Sequence, residues 1–281
     1  MTRRTLIRAT AVLLALGLSA CAGNRNAGQT ITIKGSDTMV ILGQRWAEQY
    51  MKSHPGVVIQ VTGGGTGTGI AALVNGTTDI CQASRPMKDE EKSQIAAKYG
   101  APPYETTVAR DGIAIYLHES NEVDALSMAQ LRGIYTGAIT SWKQVGGADA
   151  GIVLYGRENS SGTYEYFKEH VLEKADYAST VQTLPGTAAV VNAVSKDPRG
   201  IGYGGAAYAK GVKECAVKAT DASAAVKPAA ETVRDGTYPI SRALYFYTRK
   251  PPEGSMKAFV DWVLSDEGQK IATEVGYYSV R

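Results

Sequence analysis

The apolar positions near the start of the folded chain switch period repeatedly. Thr30-Ile31-Thr32-Ile33 alternates and is β-branched, which predicts a strand. From Met39 to Lys52 the spacing becomes helical, with Leu42, Trp46, Tyr50 and Met51 on one side, and His54-Pro55-Gly56 stops the run. Val57 to Val61 predicts a second strand. Gly63 to Gly69 is a Gly/Thr loop, Ile70 to Asn75 a short helix ended by Gly76, and Asp79-Ile80-Cys81 the start of another strand. The order β-loop-α-β-loop-α-β predicts an α/β fold built on a parallel sheet.

Further along, Val108 to Leu117 is strand-like, with Ile113, Ile115 and Leu117 alternating. Helices are predicted over Ser127–Thr136, Thr163–Lys174, Ala188–Val194, Met256–Val263 and Gly268–Val275. Strands are predicted over Ile152–Tyr155, Gly200–Tyr203 and Arg242–Thr248. The Ala/Lys-rich stretch 216–231 has little pattern and is expected to be a surface excursion. Two long strand-like segments, 108–117 and 242–248, bracket a self-contained αβ block. A chain that crosses to a second lobe and returns has this layout. The expected division is lobe I over 30–111 plus 241–281 and lobe II over 112–240, each a mixed, mostly parallel sheet flanked by helices. In such open α/β folds ligands bind at the carboxyl ends of strands, where loops meet.

The first thirty residues follow other rules. Arg3, Arg4 and Arg8 form a basic end, Ala9 to Leu18 an apolar run, and Leu18-Ser19-Ala20-Cys21 follows. The run is too short to span a bilayer, which takes about 20 residues, and fits an export signal over 1–20. Small residues abutting a cysteine resemble a lipoprotein signal, so Cys21 is the expected lipidation site and membrane anchor. Residues 21–30 are small and polar, as in a tether. The net charge of +3 comes from 30 basic and 27 acidic residues. Removing Arg3, Arg4 and Arg8 leaves 27 against 27, a balance with no footprint for nucleic acid. Any basic site must therefore be local. Cys81 and Cys215 are left as either a disulfide or two small buried thiols.

Three loops share one design. Gly35-Ser36-Asp37-Thr38, Gly63 to Gly69 and Ser160-Ser161-Gly162-Thr163 each follow a predicted strand, open a helix, and concentrate Gly and hydroxyl residues. A helix start leaves backbone N–H groups unpaired and carries partial positive charge. Glycine lets an anion approach the backbone closely, and Ser or Thr adds short donors. One such loop is ordinary N-capping; three in one α/β chain point to an anion site. Arg157, four residues before Ser161, offers a permanently charged fork, with Glu158 placed to hold it. Enzymatic signatures are scarce. There is no Walker loop, the 63–69 loop has Thr68 where a dinucleotide fingerprint needs glycine, and no His-Glu-x-x-His occurs. A hydrolase using Ser161 or Ser36 would need a base that only tertiary structure could bring. His54, His118 and His170 are expected on the surface, with His170 the one able to pack near a site. No metal or other cofactor is expected.

The stretches Lys34-Gly-Ser-Asp-Thr-Met39, Gly63-Gly-Gly-Thr-Gly-Thr-Gly-Ile70, Asp79-Ile-Cys-Gln-Ala-Ser-Arg-Pro-Met-Lys88, Gly156-Arg-Glu-Asn-Ser-Ser-Gly-Thr163 and Gly200-Ile-Gly-Tyr-Gly204 resemble, in order and spacing, the phosphate-binding proteins of phosphate ABC transporters. The match is to the shorter lipoprotein type and covers nearly all of the folded chain. The resemblance implies a two-lobed periplasmic-binding-protein-like fold of type II. It also implies a monomer that closes on dehydrated phosphate and delivers it to an ABC permease. Carried over, Ser36, Thr38 and the Met39 amide donate from the first loop and Thr66 from the second. Arg157, Ser161, Gly162 and Thr163 act from the other lobe. One position departs. Well-studied relatives have an acidic residue in the Ala-Ser-Asp segment that accepts the phosphate proton, and Arg85 stands there instead. Either another carboxylate, such as Asp37 or Asp79, takes that role, or selectivity is weaker and Arg85 becomes a second charge partner. The same fold binding sulfate, molybdate, tungstate or a phosphonate remains open at this level.

Overall fold

The computed structural model describes residues 29–281, so the expected signal 1–20, Cys21 and most of the tether lie outside the described residues. Strand β1 (Gln29–Gly35) starts within the expected tether. Its buried Ile31 and Ile33 alternate with less buried neighbours, as predicted. Next come α1 (Val40–Ser53), β2 (Val57–Thr62), α2 (Thr66–Asn75), β3 (Ile80–Ala83), α3 (Asp89–Tyr99) and β4 (Tyr104–Leu117). Then follow β5 (Ala125–Ser127), α4 (Met128–Thr136), β6 (Val153–Arg157), α5 (Gly162–His170), β7 (Gln182–Leu184), α6 (Thr187–Val194), β8 (Gly200–Gly205), β9 (Lys213–Lys218), β10 (Ala225–Val226) and α7 (Ala230–Arg234). The chain ends with β11 (Ser241–Thr248), α8 (Gly254–Val263) and α9 (Asp266–Val275).

The strands run in the order β2-β1-β3-β11-β4-β8-β6-β7. β1 pairs parallel with β2 and β3, in register at Ile33↔Val61 and Ile33↔Ile80. β11 is inserted antiparallel between β3 and β4. The long β4 serves two sheets. Up to Gly112 it pairs with β11, and from Ile113 it pairs with β8 and β9. Beyond it, β8, β6 and β7 are parallel to one another. Helices cover both sheets, and each sheet has its own core. Trp46, Tyr50, Phe246, Phe259 and Val263 fill one. Ile115, Tyr135, Phe167, Ile201 and Tyr203 fill the other. In the first core Trp46 Nε1 donates to Gly268 O at 2.7 Å and ties α1 to α9. In the second, the Phe167 and Tyr203 rings stack with centroids 4.0 Å apart.

Several predicted elements change on inspection. The expected helix 163–174 stops at His170, because Glu173 and Lys174 turn into the left-handed region at φ 51° and 70°. Val171 and Leu172 still face the core. The stretch 216–231 is not all excursion. Its first residues complete β9, whose Cys215, Ala216 and Val217 are buried against β4, β5 and β10. Helix α2 starts four residues early, inside the glycine loop. At Gly69 a Cβ would stand 2.5 Å from Lys34 O, so glycine is what lets α2 pack against β1. Cys81 and Cys215 are free, buried and in separate cores, so the disulfide is not formed.

Candidate functional site

The three glycine–hydroxyl loops converge. Gly35 ends β1 at φ 145°, and a Cβ there would lie 2.1 Å from Gln82 O. With only hydrogen present, Ser36 N can donate to Gln82 O at 2.8 Å, and the chain tightens into a 3-10 turn over Asp37–Met39. Tyr208 and Tyr277 donate their hydroxyls to the carbonyls of Asp37 and Thr38, which fixes the turn from outside. The buried Thr38 then meets Thr163 from the other sheet, with the two Oγ1 atoms 2.9 Å apart.

The second loop meets the third through backbone. Gly67 N donates to Ser160 O at 2.9 Å. At Gly65, φ 92°, a Cβ would be 2.4 Å from that carbonyl. At Gly162, the first residue of α5, a Cβ would be 2.4 Å from Thr66 Oγ1 and 2.8 Å from Ser84 Oγ. Ser161 caps α5, its Oγ accepting from Thr163 N at 3.2 Å and Tyr164 N at 3.3 Å. With Oγ accepting from two amides, the Ser161 hydroxyl keeps its proton free to donate. Ser36 Oγ donates to Ser84 Oγ at 2.8 Å, and Thr66 Oγ1 accepts from Ser84 N at 3.1 Å. The Met39 amide closes the 3-10 turn on Ser36 O at 3.1 Å.

Arg157 leaves the end of β6 and is 1% exposed. Its Nε and Nη2 grip Glu158 at 3.1 and 2.9 Å. Nη1 reaches Thr187 Oγ1 at 2.9 Å, and Nη2 crosses to Asp37 Oδ2 at 2.9 Å. Burial works to raise the Glu158 carboxyl pKa, but the Arg157 hydrogen bond and charge outweigh it, and the group titrates below its ordinary range. A second guanidinium, missed in the sequence, completes the cluster. Arg242 on β11 is paired with Asp111 on β4 at 2.7 Å, both groups fully buried. Its Nη2 also lies 3.0 Å from Thr163 Oγ1 and 3.3 Å from Thr38 Oγ1. Both charges sit in mostly apolar runs, VARDGIAIYL and SRALYFYT, and face each other in register. That is the signal that could have exposed them. Ser84, inside the Ala-Ser-Arg segment, was likewise passed over.

Arg85 is the correction. The structure does not bring it to these hydroxyls. Its Nη1 and Nη2 close on Glu91 at 2.8 and 2.7 Å, and Nη1 also donates to Pro86 O. Glu91 lies in the first turn of α3 and also accepts from Lys88 N at 2.8 Å, so it is held in place to receive the fork. Asp79 is also elsewhere, accepting from Thr32 N and Oγ1. His170 stacks on Tyr166 at the exposed end of α5, outside the cluster.

The site as assembled is rich in hydroxyl donors, holds two forks, and draws on both sheets. The chain itself resembles known proteins. A model described as the PBP superfamily domain matches residues 21–267. The phosphate-binding protein PstS of Pseudomonas aeruginosa is 36% identical over 86% of this chain and 80% of its own length. That of Staphylococcus saprophyticus is 33% identical over 100% and 91%. Among solved structures, one from Clostridium perfringens, assigned as a phosphate ABC transporter substrate-binding protein and holding phosphate, is 32% identical. It superposes with a TM-score of 0.81 over 90% of this chain and 100% of its own. An ABC-type phosphate transport receptor from Vibrio cholerae gives 0.71 at 29% identity, over 88% and 99%. With its two-lobed α/β fold, the chain belongs to the periplasmic-binding-protein superfamily and, within it, to the PstS family of phosphate-binding proteins.

Proposed function

We propose that this protein captures inorganic phosphate between its two lobes outside the cytoplasm and hands it to an ABC-type permease. The observation that carries the reading is the junction itself: hydroxyls from both lobes meet at Thr38 and Thr163, 2.9 Å apart, beside two buried guanidiniums. Donors of this kind, drawn from two bodies, suit a dehydrated tetrahedral anion and clasp it from both sides. The lobes are residues 30–111 with 241–281, and residues 112–240. Ser36, Thr38 and Thr66 bind from the first lobe, and Arg157, Ser161, Gly162 and Thr163 from the second, while the Met39 amide stays with Ser36 O in the 3-10 turn. Arg85 is left out of this set, because its fork is committed to Glu91.

Calorimetric titration of residues 24–281 with phosphate and sulfate tests the proposal. Phosphate should bind, and no heat with either anion overturns it. Arg157→Ala should weaken phosphate binding by about a hundredfold, through loss of charge-assisted hydrogen bonds worth about 1.5–3 kcal/mol. A hydrolase reading lacks a base bonded to either candidate serine among the described residues. Ser36 Oγ bonds Ser84 Oγ, and Ser161 Oγ bonds two amides. A generic phosphate ester should therefore show no turnover.

Anchoring belongs to the same reading. No helix among the described residues is long and apolar enough to cross a membrane. The lipid on Cys21 supplies the attachment, and the segment that follows leads into β1 at Gln29. Cys21→Ala should shift the protein from the membrane fraction to the soluble one. Retention in the membrane fraction would disprove the anchor.

A further inference from the structure

The Gly200-Ile-Gly-Tyr-Gly204 stretch supplies none of the donors above, but it forms β8, which pairs with β6, the strand that ends in Arg157. Side chains alternate across β8. On one face a Cβ at Gly202 would stand 2.6 Å from Val190 Cγ1, and one at Gly204 2.6 Å from Thr187 Cγ2, so the glycines let α6 lie close against the strand. That approach brings Thr187 to Arg157 Nη1. On the other face is Tyr203, fully buried, with its ring stacked on Phe167 of α5.

The Tyr203 hydroxyl is what packing does not explain. A phenylalanine would fill the same space, and a phenol oxygen in an apolar core is costly unless it is bonded. Tyr203 Oη lies 2.8 Å from Tyr177 Oη, and Tyr177 donates to Tyr164 O at 3.1 Å. Each phenol has one proton, so Tyr203 donates to Tyr177 and keeps its lone pairs for the side away from it. The end of β6 is there: a Cβ on Gly156 would be 3.6 Å from Tyr203 Oη. Burial pushes the Tyr203 phenol pKa up, while Tyr177 and the Arg157 amide and charge work against it. The hydroxyl pair therefore runs from the Arg157 end of β6 to the Tyr164 carbonyl in the first turn of α5. It bridges the two ends of the segment that carries Arg157, Ser161, Gly162 and Thr163. The Tyr177 ring is stacked on Tyr164 at 4.6 Å, which holds its hydroxyl in line.

Resting on the phosphate reading above, we propose that Tyr203 and Tyr177 are positioning residues, whose hydroxyl pair holds the 157–164 loop in its binding shape in the free protein. Neither phenol touches the anion. A loop ordered beforehand does not have to be ordered on binding, and the difference appears as affinity.

The test is calorimetry with phosphate on wild type, Tyr203→Phe and Tyr177→Phe, with Tyr135→Phe as the control. Tyr135 lies in the same core, its ring 5.3 Å from that of Tyr203, but its hydroxyl donates to Tyr155 O at 3.1 Å, outside the loop. Tyr203→Phe and Tyr177→Phe should each lose about tenfold in phosphate affinity, and the double variant about as much as either, because one break opens the chain. Tyr135→Phe should stay within about twofold of wild type. Amide hydrogen exchange over 158–163 in the phosphate-free protein should quicken in Tyr203→Phe and Tyr177→Phe and not in the control. The inference is overturned if both loop variants bind phosphate as wild type does, if Tyr135→Phe loses as much affinity as they do, or if exchange over the loop is unchanged. Should Tyr203→Phe fail to fold, Tyr177→Phe, at a half-buried position, carries both readings. Wild type that binds no phosphate refutes the phosphate reading itself, while the exchange comparison still decides whether the hydroxyl pair holds the loop.

Discussion

At the scale of single residues, the site is set as much by atoms left out as by donors put in. Gly162 shows this most directly. Its backbone enters the first lobe's hydroxyls so closely that a methyl would overlap Thr66 Oγ1 at 2.4 Å. The atoms it would meet belong to the short side chains of Thr66 and Ser84, so these hydroxyls must turn away or the lobes must stand further apart. Gly162→Ala should therefore weaken phosphate binding by about tenfold or more, while melting of the ligand-free protein stays within a few degrees, as calorimetry and thermal denaturation will check. A larger loss of stability than of affinity would mean that the glycine serves α5 and not closure.

At the scale of elements, α3 is the piece the sequence reading omitted, and it explains where Arg85 went. The helix has three acidic residues in its first turn, Asp89, Glu90 and Glu91, which suit its positive end. Glu91 is turned inward to Arg85, and the pair joins the end of β3 to α3. Burial works to raise the Glu91 carboxyl pKa, but Arg85, the Lys88 amide and their charges outweigh it and leave it below the ordinary value of 4.5. A folded-state pKa below the unfolded one means that the stabilisation is present above the unfolded value and is lost as pH falls through the folded one. Glu91→Gln should cost about 3 kcal/mol at neutral pH, with its stability approaching wild type in acid. Its phosphate affinity should stay within about twofold of wild type. Denaturant titration across pH, beside calorimetry, measures both. A large affinity loss would return Arg85 to the site.

At the scale of the whole molecule, the two sheets are joined by β4 and by the run into β11, which pass each other at Gly112 and Ser241. Next to that crossing, Ile113 N donates to Ile240 O at 2.8 Å. Everything else between the lobes at the site is short-range: hydroxyls, one backbone hydrogen bond, and ion pairs such as Asp37–Arg157. Two narrow strands beside a polar junction suit a hinge, which the proposed clasping of phosphate requires. Small-angle scattering should show a smaller radius of gyration with phosphate than without it. No change would argue against clasping. The Lys88–Glu165 pair at the rim, partly exposed at 42% and 26%, adds little to closure, about 0–1 kcal/mol.

How much of this was legible beforehand depends on the range of the interaction. Periodicity in β1, α1 and β2, the glycine–hydroxyl starts and the fork at Arg157 are local signals, carried by residues within a few positions of one another. They suffice for the α/β class and for the loops that the fold brings together. The partner of a charge is not local. Arg85 looked available until α3 folded Glu91 onto it, and Asp111 and Arg242, 131 positions apart, looked like stray charges in strands until β4 and β11 came into register. Backbone preference and amphipathic period are written along the chain, whereas ion pairing in a buried site depends on which strands become neighbours. The sequence alone thus determined the fold class and the expected donor loops, and only the tertiary structure decided which acid and which guanidinium stand beside them.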